Sequence, residues 1–222
     1  MKISTNGIET NYTVEGSGPW ITFSHSLACN LSSWDAQAAA LSKHFTVLRY
    51  DTRGHGQSGA PAGAYTLDTL ADDLKALLEG MGVKQTHFVG LSMGGMIGQT
   101  FALEYPGVFK SLALCDTTSF YGENALANWM ERVRITQEKG MAAVVDATLS
   151  RWFTEPFRAA NPELMKTVGQ MIHSTPVAMA RIIHEAMPGS ELAIIAAAAH
   201  ISNIEQPAAF NAVLSGFLSR VG

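Results

Sequence analysis

At 222 residues, with 47% hydrophobic and 15% charged positions, the chain can bury a core the size of one α/β domain. A net charge of −4 with no basic run argues against nucleic acid or an anionic membrane as partner, and no apolar run is long enough to span a bilayer. Two cysteines, Cys29 and Cys115, make no disulfide framework and Met1–Gly7 carries no apolar leader segment, so a cytoplasmic setting is expected.

Lys2–Thr5 and Glu9–Val14 flank Asn6-Gly7 and predict a hairpin with a two-residue primed turn. Trp20–Phe23 is a short apolar strand running into Ser24-His25-Ser26-Leu27-Ala28. A helix capped from Asn30–Ser33 is predicted through Trp34 to about Leu41. Phe45–Tyr50 is the next strand, followed by the glycine-rich loop Asp51–Gly59. Thr66 caps a helix whose Leu67, Leu70, Leu74, Leu77, Leu78 and Met81 keep the 3.6-residue period. Thr86–Val89, the helix Gly95–Leu103 and the strand Lys110–Asp116 continue the alternation. Strands alternating with helices predict a mostly parallel sheet with helices on both faces.

Ser119–Met171 changes character: it is helical, with Trp129, Met130, Trp152 and Phe153. We read residues 1–118 as an α/β core, 119–175 as a helical cap over the site, and 176–222 as a helix–strand–helix that completes the core. The plainer reading of the insertion is a helical subdomain whose aromatics fill its own interior. Pro176 opens a predicted helix through Ala186, Leu192–Ile195 is the last strand, and a final helix runs from about Gln206 to Leu218.

The chemistry centres on Gly90-Leu91-Ser92-Met93-Gly94. A serine at the apex of a strand–turn–helix is held in a strained conformation, and glycines two residues to either side let strand and helix approach. The bland alternative is a glycine-rich turn with a bystander serine. A serine nucleophile needs a base, an orienter for that base, and donors for the oxyanion. His200, just past the last strand, is the candidate base; His55 and His25 are weaker ones, and His44, His87, His173 and His184 read as surface or packing residues. The N–H of Met93 and that of Leu27, with Ser26 next, are the candidate oxyanion donors. His25, Trp129 and Trp152 are candidate substrate contacts. No metal or cofactor is expected.

Four stretches, Ser24–Leu27, Tyr50–Ser58, Gly90–Gly95 and Ala199–Pro207, together resemble the α/β-hydrolase superfamily, and within it the 3-oxoadipate enol-lactonase branch. The resemblance covers nearly the whole chain. It implies a sheet with helices on both faces and a helical cap, Ser92 and His200 as nucleophile and base, and hydrolysis of small esters or lactones. It also implies an acid on a strand between the cap and the last strand. That strand is missing here: His173-Ser174-Thr175-Pro176-Val177 runs from the cap directly into the penultimate helix, and no aspartate follows Asp146. A strand with its helix amounts to about 30 residues, so the chain reads as internally shortened.

Asp116, at the end of the strand after the Ser92 helix, is the expected replacement acid; Glu123 and a Ser–His dyad are the alternatives. Asp116 has a structural reading too, as a cap on the turn with Thr117 and Thr118. The shortened sheet predicts a homodimer, swapped through His173–Val177 if His200 of one chain serves Ser92 of another. Two other functional readings stand beside esterase or lactonase: a C–C-bond hydrolase of the same superfamily, and an inactive remnant that binds or dimerises.

Overall fold

In the computed structural model, residues 1–63, 65–119, 125–175, 180–181 and 195–221 are described. Asn6 and Gly7, with φ of 44° and 76°, turn the chain between β1 (Lys2–Thr5) and β2 (Ile8–Gly16), as an Asn-Gly primed turn should. β3 (Trp20–Ser24), β4 (Thr46–Tyr50), β6 (Thr86–Leu91) and β7 (Phe109–Cys115) join them in one sheet; a two-residue strand, β5 (Tyr65–Thr66), lies apart. The order is β1-β2-β4-β3-β6-β7. The first two pairings are antiparallel and the rest parallel, so the predicted parallel sheet carries an antiparallel hairpin on one side.

Side-chain alternation along the strands sends two cores to opposite faces. Ile21, Phe23, Val47, Val89 and Leu91 face α1 (Asp35–Leu41) and the C-terminal helix, packing on Trp34, Phe210 and Leu214. Leu48, Tyr50 and Phe88 face α2 (Leu67–Gly80) and α3 (Met93–Glu104), packing on Leu70, Leu74, Ile97 and Phe101. Asn30 caps a short 3₁₀ turn (Leu31–Trp34) ahead of α1, and the Thr66 hydroxyl caps α2 by accepting from the Thr69 N–H at 3.1 Å. Every residue of β6 is buried, as a central parallel strand requires. β7 lies at the edge of the sheet among the described residues and leaves Leu114 38% exposed.

The segment after β7 is helical, as expected: α4 (Ala125–Lys139), a 3₁₀ turn (Met141–Val144), α5 (Val145–Trp152), α6 (Glu155–Ala160) and α7 (Pro162–His173). Its buried Trp152, Phe153, Val168 and Ile172 join the core on the α1 face instead of filling a separate interior. Ala180–Arg181 forms a short strand, β8, parallel to β5; the helix predicted from Pro176 to Ala186 is corrected at those two residues, and its remainder lies outside the described residues. The predicted strand Leu192–Ile195 also lies outside them, except for Ile195, which packs against the α1-face core. The chain closes with α8 (Ser202–Glu205) and α9 (Pro207–Val221). Among the described residues no helix is long and apolar enough to cross a membrane.

The Asp51–Gly59 loop is built as a structural element. The Asp51 carboxylate accepts from the Asn11 side chain at 2.7 Å and from the Leu31 and Gln57 N–H groups at 2.8 Å each. Arg53 forms a fork with Asp73 at 2.6 and 2.7 Å. His55 and His25 stand beside the loop with ring centroids 5.2 Å apart. Burial lowers both below the ordinary histidine value, His55 to about 3, with the His25 charge adding to the effect there. A folded-state pKa below the unfolded one means that the unfolded chain takes the proton first. Stability is therefore complete above the ordinary value of 6.5 and is lost as pH falls toward 3. We predict that the melting temperature drops on acidification from pH 7 to 5, and that His55→Gln makes the drop shallower; an equally steep drop in the variant would contradict this assignment.

Candidate active site

Ser92 sits between β6 and α3 at φ 52° and ψ −114°, a left-handed conformation that costs a residue with a Cβ about 1–3 kcal/mol. Its neighbours explain why the turn has no alternative. A Cβ on Gly90 would meet the Gly94 carbonyl oxygen at 2.3 Å, and one on Gly94 would meet the Ser24 carbonyl oxygen at 2.2 Å. The Ser92 backbone is also tied to the end of β7. Its N–H donates to the Cys115 carbonyl at 2.8 Å, and its carbonyl accepts from the Thr117 hydroxyl at 2.7 Å and the Gly95 N–H at 2.9 Å.

The Ser92 hydroxyl meets His200 Nε2 at 3.0 Å, within one chain. The histidine rides on a loop pinned from several sides. The Ala199 N–H donates to the Glu205 carboxylate at 2.7 Å, and the same carboxylate accepts from the Thr154 N–H at 2.9 Å and from the Thr154 hydroxyl. The Ile201 N–H donates to the Trp152 carbonyl at 3.2 Å. Asn203 is fully buried: its side-chain amide donates to the Ser33 carbonyl at 2.8 Å, and its backbone carbonyl accepts from the Gln37 side-chain amide at 3.0 Å. Burial holds His200 below the ordinary histidine value; the Asp116 carboxylate pulls the other way and the Arg151 guanidinium adds to the lowering.

Asp116 follows β7 directly, with φ of 45°. It acts on His200 through its charge, while its hydrogen bond is to the Ser202 hydroxyl, which donates to Oδ2 at 2.6 Å. Glu123, the alternative acid, lies outside the described residues. Met93 opens α3, so its N–H belongs to the first turn, where a helix has no acceptor of its own. The contact of Gly94 with Ser24 sets the 24–28 loop, with Leu27, against that helix start.

Two of the expected substrate contacts are corrected. His25 is fully buried; its Nδ1 donates to the Ser26 carbonyl at 2.8 Å and its Nε2 accepts from the Thr52 N–H at 3.0 Å, so both ring nitrogens are used in shaping the loop. Trp152 is 5% exposed and belongs to the core, its carbonyl fixing the His200 loop. Trp129, on α4, is half-buried under the Arg132 guanidinium, 4.7 Å from its ring centroid. Arg134 is taken by Glu131 and Glu138. Among the described residues no three His, Cys, Asp or Glu side chains converge on a metal site.

These elements define the class. A family model described as alpha/beta hydrolase fold matches residues 19–192, and the chain belongs to that family. Among curated relatives, 3-oxoadipate enol-lactonase 2 of Acinetobacter baylyi is 30% identical, over 98% of this chain and 96% of its own. Among solved structures, the enol-lactonase from Burkholderia xenovorans LB400 superposes with a TM-score of 0.86 at 30% identity, over 99% of this chain and 100% of its own. A thermophilic esterase from Thermogutta terrifontis, 24% identical, reaches 0.89 and shows the shared fold. The alignment with the Acinetobacter enzyme runs to 259 positions against 222 residues here, so at least 37 of its positions (259 − 222) face no residue of this chain.

The sequence reading missed Glu205 and Thr117. Glu205 is 3% exposed and satisfies three donors from two segments. We predict that Glu205→Ala, which leaves buried N–H groups unpaired, costs about 2–4 kcal/mol. The expected melting-temperature loss is about 5–10 °C; a loss under a degree in calorimetry would contradict that role.

Proposed function

We infer that the chain is a serine hydrolase of small carboxylic esters or lactones that works through an acyl-enzyme. The observation that carries this is the 3.0 Å contact between the Ser92 hydroxyl and His200 Nε2, at a turn whose backbone is locked. In this reading Ser92 Oγ attacks the ester carbonyl while Nε2 takes its proton. The oxyanion lies against the N–H groups of Met93 and Leu27, and collapse of the intermediate breaks the ester C–O bond. The alcohol leaves with the proton held on His200; for a lactone that alcohol stays attached to the acyl chain. Water then adds to the acyl-enzyme, gives His200 its proton, and releases the carboxylic acid with Ser92 restored. Asp116 is the orienting acid: it sits where its charge favours the protonated ring that both steps form. Residues 119–175 serve as the cap, Trp129 is retained as a substrate contact, and the lactone and ester names of the relatives support the substrate class.

The test is a nitrophenol burst from a short-chain nitrophenyl ester. Ser92→Ala abolishes it, and Asp116→Asn lowers turnover by about 10²–10⁴-fold. A burst that survives Ser92→Ala would sink the mechanism, and no burst from the parent chain would favour the inactive-remnant reading, for which the missing acid strand speaks. Because turnover needs neutral His200 and burial lowers its pKa, the acidic limb of the kcat/KM profile falls below pH 6.5; a limb above that value would contradict the assigned base.

A homodimer belongs to the same reading, supported by the position of β7 at the sheet edge among the described residues and by the exposure of Leu114. Ser92 and His200 meet within one chain, so the pair is complete without exchange between subunits. Light scattering should give the dimer mass, and a monomer with full turnover would contradict it.

A further inference from the structure

Asp116 presents a problem that the rest of the site does not share. Its backbone is tightly held, since Cys115 before it and Thr117 after it both bond the Ser92 backbone. Its side chain is less enclosed: more than a third of the residue is exposed, at a left-handed position directly after β7. A carboxylate on such a residue turns freely unless something fixes it, and an acid that turns cannot hold an imidazole.

Ser202 supplies the missing constraint. It is 5% exposed and lies two residues beyond His200, on the loop held by Glu205, Asn203 and the Trp152 carbonyl. A serine hydroxyl has one proton to donate, and this one goes to Asp116 Oδ2 at 2.6 Å, a charge-assisted distance. With Oδ2 taken, Oδ1 is the carboxylate oxygen the serine leaves over, and the Asp116 charge reaches the ring. His200 turns Nε2 to Ser92, so the proton on a neutral ring belongs on Nδ1, which needs such an acceptor.

We propose that Ser202 is a positioning residue that fixes the Asp116 carboxylate toward His200, making the base's own loop the support for an acid displaced from its usual strand. This rests on the reading of Asp116 as the acid. Ser202 does not touch the substrate. Its hydrogen bond closes a ring of contacts: the Ser92 backbone to β7, Asp116 to Ser202, and His200 back to the Ser92 hydroxyl.

The experiment is a four-member set on the full chain: Ser202→Ala, Ser202→Thr, Asp116→Asn and the Ser202→Ala/Asp116→Asn double variant. It reads nitrophenyl-ester kinetics against pH together with the NMR titration of the His200 ring. A hydrogen bond to a charged group sets the scale, so Ser202→Ala should lower kcat by about 10–100-fold with KM nearly unchanged, and Ser202→Thr, which keeps the hydroxyl, should recover most of it. On the Asp116→Asn background, removal of the serine hydroxyl should cost less than about twofold, because the two act as one unit. Among the described residues, the charged groups that act on the ring are Asp116, directly after β7, and Arg151 on α5. Asp116→Asn removes the charge that opposes Arg151, so the His200 titration should move down there; Ser202→Ala leaves the charge present but unfixed, so the titration should move the same way by less. A Ser202→Ala variant with kcat within twofold of the parent, a full multiplicative loss on the Asp116→Asn background, or an unmoved His200 titration in Ser202→Ala would overturn the proposal. If Asp116→Asn is itself silent while Ser92→Ala is dead, it is the acid assignment that fails. The ring titration reads the Ser202 contact even without turnover.

Discussion

The site depends on one constraint: the backbone of Ser92 is fixed at both its N–H and its carbonyl. Left-handed geometry at a residue with a side chain is unfavourable and persists only where the surroundings over-determine it. Here the Cys115 carbonyl, the Thr117 hydroxyl and the first turn of α3 do so together. Because two of those three contacts come from the end of β7, the residues proposed as nucleophile and acid are parts of one rigid junction. The Gly94 contact with Ser24 extends that junction to the loop carrying Leu27.

A shortened sheet is compatible with this junction because nothing in it comes from the missing strand. β3, β6, β7 and the start of α3, with the turns that follow the strands, supply Ser92, the candidate oxyanion donors and Asp116. His200, the proposed base, arrives from the far end of the chain, on a loop that is fastened to α5 through Trp152, to Thr154 through Glu205, and to the 3₁₀ turn before α1 through Asn203. The helical segment also packs Trp152, Phe153, Val168 and Ile172 into the core on the α1 face. It thereby supports the His200 loop as well as any cap role it has over the site.

Much of this was legible in the sequence because the signals are local. Asn6-Gly7, the Thr66 cap, the leucine period of α2 and the Gly-x-Ser-x-Gly turn each depend on residues within one or two turns of each other. The long-range contacts were not. Nothing in Glu205 taken alone says that it will bind Ala199 and Thr154, and nothing in Ser202 says that it will reach Asp116, 86 residues away. His25 and Trp152 misled for a related reason. Their chemistry suits a substrate, but their placement in the core consumes it: one spends both ring nitrogens on the loop, the other is packed against the sheet. The helix expected across Ala180–Arg181 gave way to strand pairing with Tyr65–Thr66, a partner that local pattern does not reveal.

The most direct measurement of the central claim is covalent capture of the nucleophile. The purified chain is treated with a fluorophosphonate, digested, and mapped by mass spectrometry, with heat-unfolded protein as the control. If Ser92 is activated by His200, the phosphonyl group is found on the Ser92 peptide of the folded chain and nowhere else, and the label disappears in His200→Ala. An unlabelled Ser92 in folded protein, or labelling that persists without His200, would contradict the account.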